Sequence, residues 1–162
     1  MKLNLLKLGS KAKDVATGLS GMVILIEVGM DKRPYYRFQP KGLDEAGQPI
    51  TSTWVVEDRL KGDEREREDV DVPVNVLGSQ VEDTATGFKG TAIGLFLHMS
   101  GCVHVLIQPA GKVKKTGAPI APVNFDILRL KGNEVAVLTK AEVKQSHQEK
   151  PSPTEHASTS HT

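Results

Sequence analysis

A motif of 14 residues occurs twice in this chain, and its repetition limits the range of folds more than any other feature. The motif reads LGSKAKDVATGLSG from Leu8 to Gly21 and LGSQVEDTATGFKG from Leu77 to Gly90, 69 positions later. Both copies share Leu-Gly-Ser, an aspartate four residues after the serine, the triplet Ala-Thr-Gly and a second glycine. A match of this length predicts an internal duplication.

The similarity continues on the C-terminal side of the motif. Pro40 and Pro109 keep the same offset, and after a one-residue insertion near Thr116 the string RLKG occurs at 59–62 and again at 129–132. The last segment is rich in Gln, Ser, His, Glu, Pro and Thr, a composition that cannot bury a core and predicts disorder. The predicted boundaries are 1–62 for the first repeat, 63–76 for a solvated, charged linker and a leading strand, 77–143 for the second repeat and 144–162 for a disordered tail.

Each repeat, of about 55 residues, contains short apolar runs that are separated by turns rich in glycine and proline. Alternation along Tyr36 and Phe38, and along Val103, Val105 and Ile107, supplies one buried face in each repeat. The sequence therefore predicts a mainly β protein that consists of two tandem small SH3-like β-barrels. A single sandwich of about eight to ten strands is the alternative architecture. The clearest strands are predicted at 1–8, 22–28, 35–39, 51–56, 91–97 and 102–108.

The residues that both motif copies share predict a structural turn. Glycine after threonine accepts a positive φ, and Asp14 lies three residues before Thr17, where its carboxylate can bond the N–H groups of the turn. Acid–base chemistry by the two motif aspartates is the less favoured interpretation. The predicted turn residues are Asp14, Thr17, Gly18 and Gly21 in the first copy and Asp83, Thr86, Gly87 and Gly90 in the second.

Composition excludes several classes of protein. Lys and Arg total 21 against 20 Asp and Glu, so the chain lacks the net positive charge of a general polyanion binder, although a local basic patch is compatible with this balance. Cys102 is the single cysteine, which rules out an internal disulfide and fits a reducing compartment. The sequence contains no apolar run of about 18 residues, so no membrane association is expected.

The strings LGSQVEDTATGFKGTA and SGCVHVLIQP resemble a group of small bacteriophage and prophage proteins. The recurring unit of that group has the form LGDxVxDxVTGFxG, followed by an Asn-Gly-Cys-like hairpin and a strand that ends in Gln-Pro. The resemblance covers 77–109 well and 8–40 more loosely. Trp54 stands where the group commonly has a tryptophan before an acidic pair, whereas the second copy has Asn124 in its place. The resemblance implies a phage origin and an SH3-like fold, but its members are mostly uncharacterised and imply no activity.

Few residues in the sequence have the pattern of a chemical site. His98, Cys102 and His104 have metal-ligand chemistry, but a structural hairpin explains them better, because the first copy has no matching set. A Ser-His-Asp arrangement and a glycine-rich phosphate loop are both missing from the sequence. We therefore expect no enzymatic activity, no metal and no cofactor.

The expected function is binding. A structural or accessory phage protein, such as a capsid decoration component of the virion, is the leading hypothesis, with protein partners that are viral or host and with homo-oligomerisation left open. An inhibitor of a host or defence protein, located in the host cytoplasm, is the first alternative. An SH3-like nucleic-acid-binding module is the second, against which the charge balance and an aromatic content of 4% argue. The predicted partner contacts are Tyr35, Tyr36, Arg37, Trp54, His98, Cys102 and His104.

Overall fold

The computed structural model of this chain describes residues 1–62 and 66–132. Within these ranges the protein is mainly β, as the sequence predicts, and its helical content consists of short 3-10 turns. The end of the predicted second repeat, 133–143, and the predicted disordered tail at 144–162 lie outside the described residues.

The first repeat is an antiparallel meander with a returning last strand. Its strands are β1 Lys2–Leu6, β2 Lys11–Asp14, β3 Ser20–Gly29, β4 Pro34–Pro40, β5 Thr53–Val56 and β6 Leu60–Gly62. Strand β6 follows a 3-10 turn at Glu57–Arg59 and pairs with β2, which gives the order β6-β2-β3-β4-β5.

The second repeat has the same plan. Strand β7 Arg67–Asp71 lies in the segment that connects the repeats, and the strands of the second repeat are β8 Gln80–Asp83, β9 Lys89–His98, β10 Val103–Gln108, β11 Val123–Asp126 and β12 Leu130–Lys131. A 3-10 turn at Ile127–Arg129 precedes β12, which pairs with β8, so the order is β12-β8-β9-β10-β11.

The duplicated motif forms a short strand, a tight turn and the start of the long strand of its repeat. The sequence assigns this stretch to a turn alone, whereas the structure adds the strands β2 and β8 on its N-terminal side. Gly18 and Gly87 occupy the turn with φ values of 76° and 75°. Glycine accepts this left-handed conformation without the steric cost that a Cβ atom adds.

The two long strands join the repeats into one sheet. Strand β3 pairs antiparallel with β9 in a register that places Glu27 opposite Phe96. These two residues are equivalent positions in the duplication, and Leu25 and Gly29 pair with His98 and Gly94 on either side of them. A pseudo-twofold axis therefore passes through the Glu27–Phe96 pair. The resulting sheet has the order β5-β4-β3-β9-β10-β11, and buried side chains of both repeats form one continuous core.

The described strands form open sheets and do not close into barrels through backbone pairing. The mainly β class is thus confirmed, whereas the two tandem SH3-like barrels remain a proposal.

The segment that connects the repeats packs against the N-terminal strand. Strand β7 pairs antiparallel with β1, and the backbone N–H of Val72 donates to the carbonyl of Met1. Val70 and Val72 are buried, as are Val74 and Val76 in the 3-10 turn that follows. This 3-10 turn lies where the sequence predicts an extended equivalent of β1.

The start of each long strand passes very close to the end of the neighbouring strand. An added Cβ on Gly21 would lie 2.1 Å from the carbonyl oxygen of Gln39, and one on Gly90 would lie 2.3 Å from that of Gln108. We expect Gly21→Ala to lower the free energy of unfolding by about 2 kcal/mol or more, because the backbone has to move apart to admit the methyl group. Urea denaturation measures this change.

Leu128→Ala is the control for this substitution, since the Leu128 side chain is 61% exposed. It should alter the free energy of unfolding by no more than about 0.5 kcal/mol. Equal effects of the two substitutions would contradict the close approach of the strands.

Candidate functional site

Each motif aspartate is buried and is held by an arginine from the 3-10 turn of the same repeat. Arg59 donates from Nε to Asp14 Oδ1 over 3.0 Å and from Nη2 to Oδ2 over 2.6 Å. Arg129 makes the same bidentate contact with Asp83: Nε donates to Oδ1 over 2.8 Å and Nη2 to Oδ2 over 2.7 Å. The planar guanidinium group of arginine matches the spacing of the two carboxylate oxygens, so a bidentate contact fixes the relative orientation of the two side chains as well as their distance.

The same carboxylates also hold the turn of the motif. Asp14 accepts hydrogen bonds from the hydroxyl of Thr17 over 2.7 Å and from the backbone N–H of Ala16 over 3.1 Å. Asp83 accepts from both the hydroxyl and the backbone N–H of Thr86. The bonds from Arg59, followed by those from Thr17, lower the pKa of Asp14 to about 2, and Arg129 with Thr86 does the same for Asp83.

These contacts give the shared motif a structural role. The two aspartates are only 2% and 0% exposed, and both oxygens of each carboxylate are occupied. A general base has to reach its substrate, which carboxylates that are buried and held by arginine do not do.

A second candidate site is the exposed face of the joint sheet. Its side chains alternate with the core residues of the same strands and are half-buried or exposed. We call this surface the outer sheet face; it consists of Leu25 and Glu27 of β3, Tyr35 and Arg37 of β4, Trp54 and Val56 of β5, Phe96 and His98 of β9, and His104 and Leu106 of β10.

Aromatic and cationic groups on this face are held in place by one another. The rings of Trp54 and Phe96 have their centroids 6.0 Å apart, although β4 and β3 lie between their strands. The guanidinium of Arg37 lies 5.5 Å from the Trp54 ring centroid and donates from Nε to the hydroxyl of Ser52 over 2.8 Å. Trp54 thus bridges the two repeats while remaining 37% exposed.

Glu27 lies at the centre of the outer sheet face, on the pseudo-twofold axis. Burial raises the pKa of its carboxyl group, and the charge of Asp31 adds to the rise. The hydroxyl of Tyr35 donates to Asp31 over 2.6 Å. This bond joins the turn between β3 and β4, where Asp31 lies, to the outer sheet face.

The structure brings together five of the seven partner-contact residues that the sequence predicts: Tyr35, Arg37, Trp54, His98 and His104 lie on the outer sheet face. The other two lie elsewhere. Tyr36 is fully buried and its hydroxyl accepts from the backbone N–H of Leu6, while Cys102 lies at the β9–β10 hairpin next to the face.

The histidines of this face form a ring contact. The centroids of His98 and His104 are 4.4 Å apart. Across residues 1–62 and 66–132 no set of three or more His, Cys, Asp or Glu side chains has a metal-binding arrangement. The same ranges contain no helix with the length and apolar character that crossing a bilayer requires.

The sequence did not identify Leu25, Glu27 and Phe96 as surface residues. The run from Met22 to Val28 is apolar on both faces of the strand, so the sequence pattern does not indicate which face is exposed. Glu27 is the one charged residue inside this run, and a charge inside an apolar strand is the signal that marks an exposed position.

No protein-family model matches this sequence, and neither curated proteins nor solved structures show significant similarity to it.

The motif aspartates make the free energy of unfolding depend on pH in the acidic range. Their folded pKa of about 2 lies below the value of about 3.9 for an unfolded aspartate. The stabilisation that they provide is therefore complete above about pH 4 and is lost as the pH falls towards about 2, because protonation breaks the contacts with arginine. We expect urea midpoints to fall steeply over this interval.

The double variant Asp14→Asn, Asp83→Asn isolates this contribution from the other carboxylates. It should be less stable than the wild-type chain at pH 7, and the difference between the two should shrink between about pH 4 and pH 2. A constant difference across this range would show that the aspartates do not carry the acid dependence.

Proposed function

We propose that this chain is a non-enzymatic bacteriophage protein of structural or accessory type, a virion or capsid decoration component that acts through contacts with another protein. The observation that carries this proposal is the outer sheet face, on which Trp54, Arg37, Tyr35 and Phe96 converge across both repeats. The phage context comes from the resemblance of the motif copies and the hairpin at 100–109.

The composition of this face suits a protein partner. Trp, Tyr and Arg are the residues that most often supply the binding energy of protein interfaces, especially where they are packed and partly desolvated. Trp54 and Arg37 are already held by each other, so little side-chain entropy is lost when a partner covers them. The partner that fits is a protein with an apolar patch for Trp54 and an acidic group for Arg37.

The finer fold assignment belongs to the same proposal. In each repeat four strands form a meander, and a 3-10 turn leads to a fifth strand that returns to pair with the first of them. This order supports two SH3-like units that are fused through their long strands.

Purified particles provide the first test. We expect the chain to be present, at a fixed copy number relative to the capsid protein, in particles made from a phage genome that encodes it. Quantitative mass spectrometry of gradient-purified particles measures this ratio. Absence from the particles would overturn the virion assignment and would favour a host protein as the partner.

Trp54→Ala is the second test, with Asn124→Ala as its matched control at the equivalent position of the second repeat. We expect Trp54→Ala to lower incorporation into particles, or affinity for the isolated partner, by about tenfold or more, because such an anchor contributes about 2 kcal/mol or more. The control should bind like the wild-type chain. Equal binding by all three proteins would exclude the outer sheet face as the contact.

A further inference from the structure

A groove on the first repeat is lined by lysines that form no salt bridge with the described residues. It has a volume of about 730 Å³ and lies between β2, β6, the start of β3 and the end of β4. Four lysines line it, Lys11, Lys13, Lys41 and Lys61, and we call it the lysine groove. None of them forms a salt bridge with another residue of the described ranges.

The strand pairing places two of these positive charges directly opposite each other. Lys13 of β2 pairs with Lys61 of β6 on one side and with Ser20 of β3 on the other. Like charges that face each other across a sheet are destabilising. Lys11 lies two residues before Lys13, so it presents its side chain on the same face. The fold therefore keeps an electrostatic cost that an anion in the groove would offset.

In the second repeat, a single residue difference inside the duplicated motif avoids this repulsion between paired lysines. Glu82 replaces Lys13 there, and its neighbours are Lys131 of β12 and Lys89 of β9. The carboxylate lies 3.3 Å from both ammonium groups. Glu82 thus offsets lysine charge in the second repeat, whereas Lys13 adds to it at the equivalent position of the first.

The remaining lining of the groove adds small or apolar residues and one carboxylate. Ala12, Gly21, Met22 and Gly62 offer small or apolar surface. Glu66 also lines the groove, and its Oε2 atom is buried without a hydrogen-bond partner. A buried acceptor without a partner is costly, so a donor from a ligand would stabilise it.

We propose that the lysine groove binds a small phosphorylated ligand of the nucleoside di- or triphosphate class. The lysines contact the phosphates as mobile point charges, the small and apolar residues of the lining contact the ring, and Glu66, away from the phosphates, accepts a hydrogen bond from an amino or hydroxyl group of the ligand. This site is separate from the outer sheet face, and it does not depend on the function proposed above.

The size of the groove favours a small ligand over a nucleic-acid strand. Its volume is within the range of small-molecule sites, roughly 300 to 1,000 Å³. A strand needs a basic surface that follows its backbone over several nucleotides, and the second repeat does not continue the charge.

The test uses the full chain, with ADP as the probe and isothermal titration calorimetry as the measurement. We expect ADP to bind more tightly than either adenosine or inorganic pyrophosphate, and more tightly at low than at high salt. Lys13→Glu, which gives the first motif the residue of the second, should weaken ADP binding by about tenfold or more.

Lys131→Glu is the matched control, because it makes the same change of charge at the position equivalent to Lys61 in the second repeat. It should leave ADP affinity unchanged. Thermal unfolding separates binding from folding: Lys13→Glu should unfold at the same or a higher temperature than the wild-type chain, since the introduced carboxylate faces Lys61.

Four results would overturn the proposal. The first is a lack of ADP binding by the wild-type chain, and the second is an equal loss in Lys13→Glu and Lys131→Glu. The third is tighter binding of a single-stranded oligonucleotide than of ADP, which would assign the lysines to a polymer surface. The fourth is pyrophosphate that binds as tightly as ADP, which would show that neither the ring nor Glu66 contributes to binding.

Discussion

The antiparallel pairing of β3 with β9 is the interaction on which the rest of the structure depends. Each long strand pairs with its short neighbour, β2 or β8, only along its first part, so its second part has one edge open. An open edge leaves N–H and C=O groups without partners. The two repeats satisfy these groups for each other around the Glu27–Phe96 pair. The pairing produces one joint sheet and one core. A unit of about 55 residues buries too little apolar surface to be more than marginally stable alone, and the shared core increases the buried surface.

This symmetric scaffold carries an asymmetric surface. The residues that both copies keep, such as Asp14 and Asp83 with their arginines, hold the turns and the returning strands together. The residues that differ lie where each copy meets solvent: Lys13 against Glu82 in the short strands, and Trp54 against Asn124 at the sheet ends. Duplication keeps the fold in both copies while one copy changes its contacts. This explains why both proposed binding sites rely on first-repeat side chains.

Part of the candidate surface was accessible from the sequence. Tyr35, Arg37 and Trp54 are among the aromatic and cationic residues that the sequence predicts as partner contacts, and they lie on the outer sheet face. Tyr36 is wrongly grouped with its neighbour by such reasoning, because adjacent strand residues point to opposite faces. The lysine groove gave no sequence signal, since its four lysines lie on β2, on β6 and directly after β4, and they become neighbours only through strand pairing.

The sequence by itself determined the duplication, the mainly β class and the turn glycines, because these follow from local conformational preference and from self-similarity. The tertiary structure decided which faces point outwards. A register shift between Val23 and Leu25 in β3 inserts one residue and exchanges the two faces of the strand, so alternation cannot be followed through it. The structure also decided that equivalent strands meet edge to edge, because backbone hydrogen bonds join any two open edges, and no side-chain pattern records which two.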